Sequence, residues 1–218
     1  VDATKRVHAG NLLLQALTKA QGSKTAPSSD LSYTIKRLVR GLASSRDAAR
    51  QGFGAVLIEV LVEFGTQVRI EDVLDLMDST MQLQGSMDGS EERDMLFGRL
   101  FTCASVLRCK RLSVLPADRR ELIASRVIKE LLFCYGRKTF LQEMAAILTS
   151  ELVDQLGSAE MQRLVWPQVA PLLASSLSEW SAHALFIGLR LCRALPHATV
   201  AALLPHVPLR AGTLLHTV

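Results

Sequence analysis

The stretch Asp30-Leu31-Ser32-Tyr33-Thr34-Ile35-Lys36-Arg37-Leu38-Val39-Arg40-Gly41-Leu42 decides how the rest of the chain is read. At 100° per residue, Leu31, Ile35, Leu38, Val39 and Leu42 fill one arc, and Lys36, Arg37 and Arg40 fill the opposite one. That is the pattern of a helix with one face in a core, and the spacing predicts it over 30–42 with Asp30 as its N-cap. Gly41-Leu42-Ala43-Ser44-Ser45 then breaks the pattern, with Gly41 placed at the helix end. Ser44 and Asp47 stand in capping-box spacing, with Asp in the place of the usual Glu. A second helix follows to Phe64 on a stripe of Phe53, Leu57, Val60, Leu61 and Phe64, and Gly65 is expected to stop it. Residues 30–64 thus read as a helix pair.

Outward from this pair, the same period recurs. Helices are predicted over 5–20, 71 to about 83, 91–111, from Pro116-Ala117-Asp118 onward, and over 138–156, 159–175, 178–194 and 198–206. Residues 21–29 read as a polar linker and 85–90 as a flexible loop. Ser176 and Glu179 again have capping-box spacing, and Pro167 and Pro171 interrupt the 159–175 segment. β-branched and aromatic residues form no alternating runs, so the fold class is all-α. Helix pairs recur at roughly 40 residues, within the range of HEAT and armadillo repeats. The expected architecture is therefore antiparallel helix pairs stacked as a HEAT/armadillo-like helical-repeat solenoid, one α-helical repeat domain over 1–218. A globular helical bundle is the alternative.

Composition narrows the function classes. Of 218 residues, 49% are hydrophobic and 21% charged, which supplies a sizeable core and excludes a disordered chain. The net charge of +4 hides segregation: +6 over 1–50, −7 over 51–100, +5 over 101–150 and zero thereafter. Patches, not the sum, are what a partner would meet. Aromatics make up only 5%, which counts against a base-stacking surface for single strands. Cys103, Cys109, Cys134 and Cys192 form no C-x-x-C pair and lie in apolar helical patterns, as buried free thiols of a reducing compartment would. No apolar run approaches the roughly 18 residues of a membrane span. The chain starts at Val1 with no initiator Met or signal sequence, so it is expected to be part of something longer.

Tyr33, Lys36, Arg37, Leu38, Arg40, Gly41, Leu42, Ser44, Ser45, Arg46, Ala49, Arg50, Gly52 and Phe53 match the pattern Y-x-[LI]-K-R-L-[VI]-R-G-L-x-S-S-R-x-x-A-R-x-G-[FY]. A second stretch, Arg93-Asp94-Met95-Leu96-Phe97-Gly98-Arg99-Leu100-Phe101, resembles R-x-x-L-F-G-R-[LI]-F-G, with Thr102 in place of the last Gly. These two motifs, about 45 residues apart, are similar to the N-terminal signature of the Myb-binding protein 1A family, also called the DNA polymerase phi or yeast fifth-polymerase family. A later Ser-Gly-Arg-Leu pattern of that family is altered here to Cys109-Lys110-Arg111-Leu112. The resemblance is clear over about 30–112. It implies a nuclear, nucleolar protein of ribosomal RNA transcription and ribosome biogenesis, with roles in transcriptional co-regulation. The partners it implies are nucleolar or transcription proteins, with ribosomal DNA or RNA as a further candidate.

Each candidate residue has a plain structural reading beside the functional one. A polymerase needs carboxylates converging on two metal ions about 3.5–4 Å apart. Asp72, Asp75 and Asp78 are the one candidate cluster, and their i, i+3, i+6 spacing opposite an apolar stripe, beside Glu71, describes a solvated helix face. The chain is therefore read as a non-enzyme despite the family name, with no metal, cofactor, membrane or small-molecule substrate. Lys36, Arg37 and Arg40 are the candidate contacts to nucleic acid or a partner. Arg46 and Arg50 share an arc with Phe53 and Leu57 and are assigned to structural ion pairing between helices. Gly52 is expected to allow close helix packing. His183 reads as a core or interface histidine, His197, His206 and His216 match no metal spacing, and Trp166 and Trp180 read as anchors between helices. The leading function is a non-enzymatic scaffold of ribosomal RNA transcription. The alternative is sequence-independent DNA or RNA binding through the basic helix 33–50.

Overall fold

Leu31, Leu38, Val39 and Leu42 are almost wholly removed from water in the computed structural model, which describes residues 2–204. Burying such a side chain contributes about 1.5–3 kcal/mol, so this one arc anchors a large part of the core. The structure is 78% helical, with no strand among the described residues. It divides into two compact units at residue 123/124, inside a long helix.

The first unit holds α1 (Ala3–Gln21), α2 (Ser29–Leu42), α3 (Asp47–Glu63), α4 (Ile70–Thr80) and α5 (Gly89–Arg108), followed by the start of α6 (Ala117–Arg137). Helix α2 is central, packing on α1, α3, α4 and α5, while α3 and α4 also pack on α5. The stripe of Ile70, Val73, Leu74, Met77 and Met81 is buried as one face of α4 and its exit. Asp88 caps α5 in a full capping box with Glu91, so the open loop is shorter than 85–90. Acidic residues at the start of α5 and Arg108 at its end suit the helix dipole.

Several local expectations are corrected. Ser28, not Asp30, caps α2, its Oγ accepting the Leu31 N–H at 3.2 Å. The 21–29 linker is tied down by buried Gln21, whose amide donates to the Lys24 and Ala26 carbonyls and accepts the Ser28 N–H, at 2.8, 2.9 and 2.9 Å. Gly41 lies inside α2 rather than ending it. The Phe53 ring covers it so closely that a Cβ would sit 2.5 Å from a ring atom. Gly52 has only Arg6 Cδ at 3.4 Å, ordinary contact, so close helix approach falls instead to Gly10, Gly41 and Gly98. Gly65 does not take a left-handed stop, since Gly22 is the only described glycine at positive φ. The end of α3 is closed by Arg111, whose guanidinium donates to the carbonyls of Leu61, Gly65 and Val68.

Glu71 leaves the acidic face assigned to it. It is buried and makes two hydrogen bonds with Arg119 of α6, at 2.6 and 2.8 Å. The reason is its place at the start of α4, turned toward the α6 N-terminus, where its charge has a bidentate partner.

In the second unit, α7 (Gln142–Val153) packs on α10 (Ala182–Ala194), and Ala145, Leu148 and Leu152 of the one and Ala184, Ile187 and Leu191 of the other are buried. The segment expected as one helix over 159–175 is broken into α8 (Ser158–Glu160), a π turn (Met161–Val165), α9 (Trp166–Val169) and a 3-10 turn (Ala170–Leu173). Pro167 and Pro171 remove the N–H groups that the Arg163 and Pro167 carbonyls would need, so the α-ladder cannot run through. Ser181, not Ser176, caps α10, accepting the Ala184 N–H at 3.1 Å. Trp180 lies over Gly188, where a Cβ would be 2.6 Å from its ring, and donates Nε1–H to the Ser175 carbonyl at 3.0 Å. The last described helix is α11 (His197–Leu203). His206 and His216 lie outside the described residues.

Two stability predictions follow from these contacts. The Arg119 hydrogen bonds hold the Glu71 carboxyl at about 2, below its ordinary 4.5, while burial opposes them. A depressed folded pKa contributes stability that is complete above the unfolded value and lost as pH falls toward the folded one. Urea melts across pH about 4.5 to about 2 should therefore show a steeper loss for the parent than for Glu71→Gln. The second concerns Lys110, at φ +56° where the family pattern has Gly. Left-handed backbone costs an L-residue about 1–2 kcal/mol, part of which Gly returns as unfolded-state entropy. Lys110→Gly should raise stability by up to about 1 kcal/mol in the same melts. An unchanged or lower midpoint would contradict it.

Candidate partner interface on helix α2

The two motifs of the sequence meet in space around one guanidinium. Arg50, on the first turn of α3, is buried, and its Cζ stands 4.6 Å over the Phe97 ring of α5. It pairs with Asp47, lies 3.5 Å from the buried Asp94 carboxylate, and donates to the Ser44 carbonyl in the turn between α2 and α3. Arg93 reaches the same carboxylate oxygen of Asp94 at 3.3 Å. One turn on, Gly98 passes so close to Ala43 that a Cβ would sit 3.0 Å from its backbone nitrogen. Arg99 donates to the Met81 carbonyl at 3.0 Å and to Asp78 at 2.9 Å, joining α5 to the end of α4. Gly41, Ala43, Arg50, Phe97, Gly98 and Arg99 are thus one joint between α2, α3, α4 and α5.

Arg46 is outside it. It is the N-cap of α3 with extended backbone, so the helical angle that placed it on the core arc does not apply. Its side chain is exposed and makes no ion pair among the described residues; its backbone alone is engaged, the N–H donating to Ser44 Oγ at 3.3 Å and the carbonyl accepting the Ala49 and Arg50 N–H groups. This also replaces the expected Ser44–Asp47 capping box, since Ser44 sits two residues before the cap and Asp47 holds Arg50 instead.

The outer face of α2 carries what the joint does not use. Tyr33, Lys36, Arg37 and Arg40 stand at i, i+3, i+4 and i+7 and are all exposed, Tyr33 by 65%. At about 1.5 Å per residue, they form one row about 10 Å long. None of the three cations has a carboxylate within ion-pair distance among the described residues. The one carboxylate of α2, Asp30, lies at least six residues before them in the first turn. Sequence reading separated this row from the core arc but did not include Tyr33 in it. The exposed i, i+3 spacing of Tyr33 to Lys36 was the available signal.

Other candidates are distributed without convergence. Asp72, Asp75 and Asp78 are exposed along α4, with Asp78 bound to Arg99. No group of three or more His, Cys, Asp or Glu among the described residues is placed to hold a metal ion. The four cysteines are free, three of them buried and Cys192 half-buried. His183 and Trp166 are half-buried and His197 is exposed. No described helix is long and apolar enough to cross a membrane.

A family profile described as DNA polymerase phi matches residues 33–217. The rDNA transcriptional regulator pol5 of Schizosaccharomyces pombe is 31% identical over 163 residues, covering 75% of this chain and 16% of that protein. Mouse Myb-binding protein 1A is 31% identical over 132 residues, covering 60% of this chain and 9% of that protein. The rDNA transcriptional regulator POL5 of Saccharomyces cerevisiae is 30% identical over 118 residues, 47% of this chain and 11% of that protein. The chain therefore spans less than a fifth of the length of these relatives. No solved structure matches it.

The joint and the row should separate in stability measurements. Arg50→Ala removes a buried guanidinium from Asp47, Asp94, the Ser44 carbonyl and the Phe97 ring, leaving Asp94 to Arg93 alone; breaking a buried pair of this kind costs on the order of 3–5 kcal/mol. Exposed side chains without partners change stability by about 0.5 kcal/mol or less. Thermal melts should show a large drop in midpoint for Arg50→Ala and a midpoint near the parent's for Lys36→Ala combined with Arg37→Ala and Arg40→Ala. The reverse order would refute the division.

Proposed function

We propose that this chain, which belongs to the DNA polymerase phi family, is a non-enzymatic helical scaffold acting in ribosomal DNA transcription, with the outer face of α2 as its binding surface. The observation that carries this reading is the division of the signature residues. Gly41, Arg50, Phe97, Gly98 and Arg99 hold helices together, whereas Tyr33, Lys36, Arg37 and Arg40 face water with no intramolecular use. A fixed row of cations on a rigid helix is what a scaffold offers a negatively charged partner.

The relatives' names place them in rDNA transcription and Myb binding. Carried to this chain, they support a nuclear, nucleolar setting, work in ribosome biogenesis and co-regulation of transcription. Stacked antiparallel helix pairs of the HEAT/armadillo kind suit that role, because such stacks present long surfaces without a catalytic cleft.

The test is affinity purification from nucleolar extract, with parent and with the Lys36→Ala, Arg37→Ala, Arg40→Ala variant, each with and without nuclease. Recovery of rDNA-transcription proteins or of rDNA should fall several-fold for the variant. Equal recovery by both would remove α2 as the surface. Template-directed nucleotide incorporation by the purified chain would overturn the non-enzymatic reading.

A further inference from the structure

We infer that the row Tyr33-Lys36-Arg37-Arg40 binds single-stranded nucleic acid, phosphates on the three cations and a base stacked on Tyr33. The inference rests on the assignment of α2's outer face as the binding surface and names its occupant.

The geometry favours a polyanion first. Three cations lie within five consecutive positions, on adjacent turns of a capped helix whose other face is locked in the core. None is paired with a carboxylate among the described residues, so there an arriving phosphate displaces water and counter-ions only. Asp30 stands about 9 Å or more along the axis from the nearest cation, close to a Debye length at physiological salt. Arg37 and Arg40 can each grip a phosphate with two parallel N–H donors, and Lys36 adds a point charge.

A single strand is then favoured over a duplex and over an acidic peptide. Tyr33 stands one turn before Lys36 on the same face, and a 65% exposed aromatic beside cations is a stacking platform. In a duplex the bases are already stacked on one another, and Tyr33 would have nothing to receive. A peptide partner needs a pocket for an anchoring side chain. Two grooves of this unit, of about 520 and 450 Å³, lie along α1 and α3, and no α2 residue lines either. The row lies exposed along the outside of one helix, which suits a flexible phosphate chain laid across it.

The experiment is fluorescence anisotropy of the 218-residue chain with labelled oligouridylate of about 20 nucleotides, the matching duplex, and polyglutamate as competitor, over a salt series. Oligouridylate should bind more tightly than the duplex, with a log–log salt slope near about −2 for three phosphate contacts. The triple alanine variant should lose that slope. Tyr33→Ala should weaken binding about tenfold with the slope kept, and Tyr33→Phe should restore it. Thermal melts of these variants should match the parent, because the side chains are exposed. Absence of oligouridylate binding, equal or tighter duplex binding, equal competition by polyglutamate, or no effect of Tyr33→Ala would each overturn the inference. If α2-dependent partners in nucleolar extract survive nuclease while oligouridylate fails to bind, the surface assignment stands and the single-strand occupant does not.

Discussion

The first unit depends on where the charge of Arg50 goes. A guanidinium brought into a helix junction must recover what water gave it, through counter-charge, hydrogen bonds and a polarisable surface. Here Asp94 and Asp47 supply charge, the Ser44 carbonyl supplies an acceptor, and the Phe97 face supplies the surface. These groups come from α3, from α5 and from the turn after α2, so placing one side chain fixes three segments at once, although its buried Nε finds no acceptor among the described residues. The glycines around it follow as a consequence. With the guanidinium over Phe97, α5 runs against the end of α2, and only Gly98 leaves room for Ala43. Gly41 likewise makes the shelf for Phe53, three residues beyond Arg50.

Much of this was legible because it is periodic. The inward arc of α2, the stripe of α4 and the helices themselves follow from spacing alone, since burial acts on every third or fourth residue. The exposure of Lys36, Arg37 and Arg40 follows from the same angles. Arg46 shows where angles fail: they hold only inside a helix, and Arg46 is the residue before its first turn. Ser28 and Asp30 show the same limit, because both are good caps and only the backbone decides between them.

What the sequence did not disclose are bonds between residues far apart. Glu71 with Arg119 spans 48 positions, and Arg111 reaches carbonyls 43 to 50 residues back. Gln21, which binds a loop of its own segment, looked like one more polar residue in a polar linker. In each case a polar side chain is buried or half-buried for the sake of a partner that no local pattern announces. The departures from the family pattern are also tolerable in different ways. Thr102 is buried where the pattern has Gly, but its hydroxyl donates to the Gly98 carbonyl at 2.9 Å within its own helix. Lys110 has no such compensation, and its backbone takes the left-handed turn that Gly would take freely.

The two faces of α2 answer to different constraints. The inner face tolerates little, because Leu38, Val39 and Leu42 fill space that four neighbouring helices share. The outer face could carry almost any polar residues at nearly constant stability, since exposed positions change it little. Glutamates there would pair with lysines at i+4 and serve the helix equally well. Instead the row holds three cations and an aromatic, without one carboxylate to offset them along its length. Like charges on adjacent turns disfavour the isolated helix, slightly but in one direction. Folding gives no reason for that arrangement, whereas attraction of a negatively charged partner gives one.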